Sequence, residues 1–223
     1  MSLIYKSLHM IIDMLPLLIE GAFVTLKVSL CIAAVGMLLG FFLGIMSCKK
    51  LRIRFIGWLV DTYILLFRGT PVFVQLIATY YALPHVLDID PSPFVAGVIA
   101  LGCNSAAYVA EIVRGGINVV PEGQWDACYV LGYNKVQALR IILPQFLRNN
   151  IPPLVNEVLA QVKESSILSA IGLIELTKMG ININARLLDP MTVYCVIGCI
   201  YLILISFLAH IGFIIEKRIN GEN

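Results

Sequence analysis

Polar side chains that recur at helical spacing inside apolar runs are the groups in this sequence that could do chemistry. In "LGCNSAAYVAEIV" (101–113), Asn104, Tyr108 and Glu111 follow one another at roughly one-turn intervals. Further on, Glu157, Gln161 and Glu164 fall at i, i+4, i+7 and share one helical face. Amides, a phenol and carboxylates at such positions can hold cations and hydrogen-bonding solutes. "FRGTP" (67–71) adds a second kind of site. Pro71 cannot continue an upstream hydrogen-bond ladder, and Gly69 permits an unusual turn. A helix broken there offers backbone N–H groups and a dipole end to a carboxylate, with the Thr70 hydroxyl as a further donor.

The surroundings decide how unusual these groups are. The chain of 223 residues is 59% hydrophobic and only 13% charged, with a mean hydropathy of +0.89. Soluble domains run at about 45–50% apolar and about 25% charged, so this is a membrane protein. Ionisable groups within spans are costly and face a bundle interior or a cavity. For Asn104 and Tyr108 the alternatives are substrate contact and interhelical hydrogen bonding. Glu111, beside Arg114, fits the second better. Thr70 either donates to a substrate or sits at a packing kink, while Arg68 pairs with a carboxylate or a headgroup. Glu157 and Gln161 are expected to line a cavity. Two carboxylates there suit a cationic solute, although Lys163 could neutralise one of them.

Five apolar segments are long enough to span, at roughly 22–46, 58–84, 93–113, 151–170 and 191–215. Residues 2–20 are expected to form an interfacial helix, and no cleavable leader is expected at the N-terminus. Lys49, Lys50, Arg52 and Arg54 crowd the connection 48–54, whereas 84–93 has no Lys or Arg. The segment 114–148 carries Arg114, Lys135, Arg140 and Arg148, and the tail carries Lys217 and Arg218. The positive-inside rule puts those basic segments in the cytoplasm, with the N-terminus outside and the C-terminus inside. Gly36, Gly40 and Gly44 allow close helix approach, either within the bundle or in a dimer. The six cysteines form no CxxC pair and are read as packing residues. The net charge of +2 does not suggest nucleic acid.

One segment does not fit the greasy pattern. "GQWDACYVLGYNKVQALRIILPQ" (123–145) is too polar to cross a bilayer. Pro121 and Glu122 suit a helix start, and Trp125, Cys128 and Leu131 make an apolar stripe. Gly132 suits a left-handed stop, Asn134 an N-cap, and Pro144 a second stop. The expectation is two short cytoplasmic helices joined at Gly132.

These residues resemble the EAA motif of ABC importer permeases. Asp126-Ala127-Cys128, Gly132 and Ile141-Ile142-Leu143-Pro144 stand at the motif's positions, with Asp for Glu, Cys for the second Ala, and one residue fewer before the proline. "FRGTPVFVQL" (67–76), "NSAAYVAEIVRGGI" (104–117), "GQWDA" (123–127) and "KESSILSAIGLIEL" (163–176) are similar to the polar amino-acid permeases of the histidine, glutamine and arginine importers. The resemblance runs over about 20–215. It implies an all-α permease of the bacterial inner membrane, with five transmembrane helices in a single domain over 1–223 and a coupling loop at about 115–148. It also implies a second permease subunit, identical or homologous, cytoplasmic ATPase subunits and an extracytoplasmic amino-acid-binding protein. Trp125, Asp126, Ala127, Gly132, Leu143 and Pro144 would meet the ATPase. The chain has no GxxxxGK[ST] phosphate loop of its own, and no bound cofactor is expected. The alternatives are an ion-coupled transporter using Glu157 and Glu111, and a membrane anchor for a cytoplasmic protein.

Overall fold

The computed structural model describes the backbone of residues 2–220 and the side chains of residues 12–219. Among the described residues all regular structure is helical. Helix α1 (Ser2–Ser47) is continuous, so the expected interfacial helix is not a separate element. The side chains of its first residues lie outside the described set. At about 1.5 Å per residue, 46 residues extend about 69 Å, well beyond a hydrocarbon core of about 30 Å.

Helix α5 (Pro93–Asn118), capped by the Ser92 hydroxyl, is the most enclosed of the long helices. It runs parallel to α1 at van der Waals contact. A Cβ at Gly36, Gly40 or Gly44 would lie 2.5–2.6 Å from Ser105, Val109 or Val113 respectively. The three glycines thus serve packing within the bundle, where short residues let backbones approach.

The second apolar segment is divided. Helix α2 (Arg54–Gly69) ends at Thr70, and α3 (Val72–Ile77) leaves it at 104°. A π-helical turn (Ala78–Ala82) and α4 (Leu83–Leu87) complete this arm. The short helix α6 (Glu122–Val130) is followed by α7 (Lys135–Glu164), a 3-10 turn (Ser165–Ile171) and α8 (Leu176–Leu187). Helix α9 (Pro190–Asn220) closes the chain.

Among the described residues three helices are long and apolar enough to cross a membrane, and up to five spans result if each bent pair counts as one. Two boundaries differ from expectation. The segment 171–190 is not a loop, because α8 forms there behind the left-handed Gly172. Nor does Pro144 close a second short helix: α7 runs through Pro144, Pro152 and Pro153 to Glu164. Ile142 and Phe146 are buried on either side of Pro144, with Phe146 packed against Gly116. Packing holds the helix on both sides of the missing N–H.

The connection 48–54 and the end of α5 meet at one end of the bundle. The Lys49 amide donates to Asn118 Oδ1 at 3.0 Å, and Lys50 lies 3.3 Å from Glu122. Lys27 sits over Phe94 at the other end, 5.6 Å from the ring centroid. The basic segments 48–54 and 114–148 therefore share a face, opposite 84–93.

Candidate functional site: the helix break and the Asn104–Ser105 step of α5

Asn104 and Ser105 lie near the middle of α5 and are both buried. Adjacent helical residues point about 100° apart, so the pair addresses two different neighbours. Asn104 turns to the α2–α3 break, and its Nδ2 donates to Phe67 O at 3.1 Å and to Gln75 Oε1 at 3.0 Å. Ser105 Oγ donates to Glu157 Oε1 on α7 at 2.8 Å. Gln161 Nε2, one turn along α7, donates to the same oxygen at 2.8 Å. Glu157 therefore lies beside Ser105 near the middle of α5, further from the end that carries 48–54 than its place in the predicted 151–170 span implies.

Of the candidate partners for Glu157 within the chain, neither Arg68 nor Lys163 forms an ion pair with it among the described residues. Arg68 instead lies 3.5 Å from Glu111 and 5.1 Å over the Tyr108 ring. Glu111 is also 2.6 Å from Arg114, which bonds Asp61 at 2.8 Å, and Asp61 reaches Arg52 at 2.6 Å. This chain of charges runs from the break to the end of the bundle that carries 48–54. Asp61, Arg68, Glu111 and Arg114 line a cavity of about 550 Å³ there. Alternating signs keep each charge paired where desolvation would penalise an isolated one.

Thr70 is exposed at the break, but its hydroxyl is engaged. It donates to Leu66 O at 2.7 Å and accepts from Gln75 Nε2 at 2.8 Å. Thr70, Asn104 and Gln75 thus come together on one side of α5. Tyr108 lies one turn below them, and Glu157 with Gln161 lies on the α7 side. Gln161 Oε1 is buried without a hydrogen-bond partner, an acceptor left over beside a carboxylate.

At that same end of the bundle α6 stands against the base of α7. Trp125 and Cys128 are buried with Ala138, Ile142 and Phe146. Leu131, the third member of the predicted stripe, is exposed. It ends α6 in a different conformation from the helix interior, so its side chain leaves the stripe. Gly132 has φ +81°, and the bonds Tyr133 N–H to Cys128 O and Gly132 N–H to Tyr129 O form a Schellman stop. Asn134 and Gln137 then exchange side-chain-to-backbone bonds at 3.0 and 2.9 Å, a capping box that starts α7. Asp126, Ala127, Val130, Leu131 and Val136 form an exposed patch, with Val130 87% accessible. Leu143 is half-buried on α7, next to the exposed Pro144.

Sequence reasoning missed Gln75, Ser105 and Asp61 as partners. Gln75 carried a signal, being the lone polar residue of "VFVQLIA", four positions after Pro71. Ser105 carried none beyond its neighbour, because a serine in a span bonds its own helix as readily as another.

The fold and these sites define a multi-pass helical membrane protein with a polar mid-depth centre and a helix pair presented at one face. The chain belongs to the family of binding-protein-dependent transport system inner membrane components, which it matches over residues 36–221. It is a permease component of such a system. The arginine transport system permease protein ArtQ of Bacillus subtilis (strain 168) is 36% identical over 214 residues, covering 95% of this chain and 96% of the relative. The glutamine transport system permease protein GlnP of Escherichia coli (strain K12) is 35% identical over 210 residues, 92% of this chain and 93% of the relative. The crystal structure of an amino acid ABC transporter with histidines superposes with a TM-score of 0.85 at 35% identity, covering 93% of this chain and 96% of that one. An inward-facing MetNI methionine ABC transporter has a TM-score of 0.81 at 19% identity, covering 93% and 98%, and speaks to the fold alone.

Proposed function

We propose that this permease conducts a polar amino acid inward along α5, driven by ATPase subunits that dock on α6 and the start of α7. The observation that carries the reading is the pair of polar clusters at the Asn104–Ser105 step. Glu157 Oε1 receives Ser105 and Gln161, while the α2–α3 break gathers Thr70 and Asn104. In this reading Thr70, Asn104, Tyr108, Glu157 and Gln161 line the pathway. Glu157 and the unpartnered Gln161 Oε1 are both acceptors, which suits an ammonium or guanidinium group. The relatives named for arginine and glutamine agree with an amino-acid cargo.

Groups of this polarity at mid-depth cannot face lipid. A second permease copy, or a homologue, encloses them, and an external binding protein supplies the cargo. ATP hydrolysis resides on the separate subunit, whose groove receives Trp125-anchored α6, Asp126, Ala127, Gly132 and the Leu143–Pro144 segment. No cofactor is assigned to this chain. The membrane is the bacterial inner membrane, with the N-terminus outside and the C-terminus inside.

The test is uptake by the complete reconstituted transporter, with arginine and glutamine as probes. ATP-dependent, binding-protein-dependent accumulation of either probe is expected. Uptake driven by an ion gradient without ATP would refute the reading. For orientation, a cysteine at Lys135 should resist an impermeant reagent in intact cells, and external labelling there would invert the topology.

A further inference from the structure

A helix that stops part-way leaves its last carbonyls without helical partners. At the α2 end three such carbonyls are satisfied by side chains. Leu66 O receives the Thr70 hydroxyl at 2.7 Å. Phe67 O receives Gln75 Nε2 at 2.8 Å and Asn104 Nδ2 at 3.1 Å. Thr70 O receives Gln75 Nε2 at 3.1 Å, and the same nitrogen lies 2.8 Å from Thr70 Oγ1. Gln75 Oε1 accepts from Asn104 Nδ2 at 3.0 Å, which ties α3 to α5.

We infer that Gln75 is a positioning residue of the transport pathway: with Asn104 it forms an amide clasp that holds the α2–α3 break at its 104° angle. The inference rests on the reading that the break borders the pathway. The residue type is specific to the task. Glutamine presents donors and an acceptor on one planar group, and all of them are used here, the donors toward α2 and the acceptor toward α5. A leucine of similar size would leave Phe67 O with one donor and Thr70 O with none. An ionised glutamate would keep the bond from Asn104 but place a carboxylate against two carbonyl oxygens. Asn104 spends both amide hydrogens on the clasp, so only its carbonyl oxygen is available to a passing solute.

Gln75→Leu, Gln75→Glu, Asn104→Leu and the Gln75→Leu/Asn104→Leu double variant are compared in the complete reconstituted transporter. Uptake of arginine and glutamine is measured, with thermal unfolding of the assembled complex alongside. Gln75→Leu should cut uptake by about fivefold or more, through loss of the bonds to Phe67 O, Thr70 O and Thr70 Oγ1. Loss of uptake in the double variant should depart from the product of the single losses, because Phe67 O keeps one donor in each single variant and loses both only in the double. Its unfolding-temperature shift should likewise depart from the sum of the single shifts. Gln75→Glu should be impaired at pH 8 and recover relative to wild type toward pH 5.5, since the protonated carboxyl regains an O–H donor. Uptake is scored per assembled complex, because stability lost with the ionised carboxylate would follow the same titration. Wild-type uptake with Gln75→Leu unimpaired, additive single effects, or a flat Gln75→Glu to wild-type ratio across pH would each overturn the clasp. Absence of uptake by the wild-type complex would instead overturn the functional reading on which the positioning role rests.

Discussion

Replacing Glu157 by Gln removes a charge from the mid-depth cluster and little else. Both hydrogen bonds to the side chain arrive on Oε1, from Ser105 Oγ and Gln161 Nε2, each at 2.8 Å. A glutamine carbonyl at the same place can accept both. No Lys or Arg among the described residues forms an ion pair with Glu157, so the substitution orphans no buried cation, and insertion and assembly should be normal. What disappears is attraction for a positively charged cargo. A hydrogen bond to a charged group contributes about 1.5–3 kcal/mol. Full Coulomb attraction at about 4 Å would reach about 4 kcal/mol at an effective dielectric of about 20. Glu157 is only half-buried, which favours the lower end, about 1.5 kcal/mol, or roughly a tenfold loss. The assay is initial uptake of arginine and of glutamine by the reconstituted transporter over a range of loaded binding protein. Loss of arginine uptake alone identifies the cationic side chain as the group recognised, and equal loss of both identifies the α-ammonium. A stable Glu157→Gln complex that transports both probes at wild-type rates would refute the reasoning.

Gly132→Val forces a β-branched residue to φ +81°, at a cost of about 1–3 kcal/mol. The Schellman stop between α6 and α7 should loosen, and ATPase co-purification or transport-linked hydrolysis should fall while insertion persists. Unchanged values of both would remove this turn from the coupling surface. Gly40→Val places a Cβ 2.5 Å from Val109 Cβ and 2.7 Å from Ala106 O, where ordinary contact needs about an ångström more. Overpacking of that kind costs about 1–3 kcal/mol. A lower unfolding temperature in detergent is expected, and an unchanged one would mean that α1 and α5 can part freely.

The local features were legible because their causes are local. The spans follow from runs of apolar residues, and the shared face of 48–54 and 114–148 follows from the distribution of Lys and Arg. The stop at Gly132, the cap at Asn134 and the interruption at Gly69–Pro71 each depend on backbone preferences of a few neighbouring residues. The resemblance that named the permease family was equally a matter of ordered short blocks. Tertiary contacts decided the rest. Pro144 reads as a stop in isolation, yet Ile142 and Phe146, buried on both sides, carry α7 through it. Arg68 was free to pair with any carboxylate, and only the crossing of α2 and α5 chose Glu111 over Glu157. Gln75 meets Asn104 across 29 positions, and Ser105 meets Glu157 across 52. Periodicity assigns such residues to a helical face; which partner that face meets depends on how the helices pack.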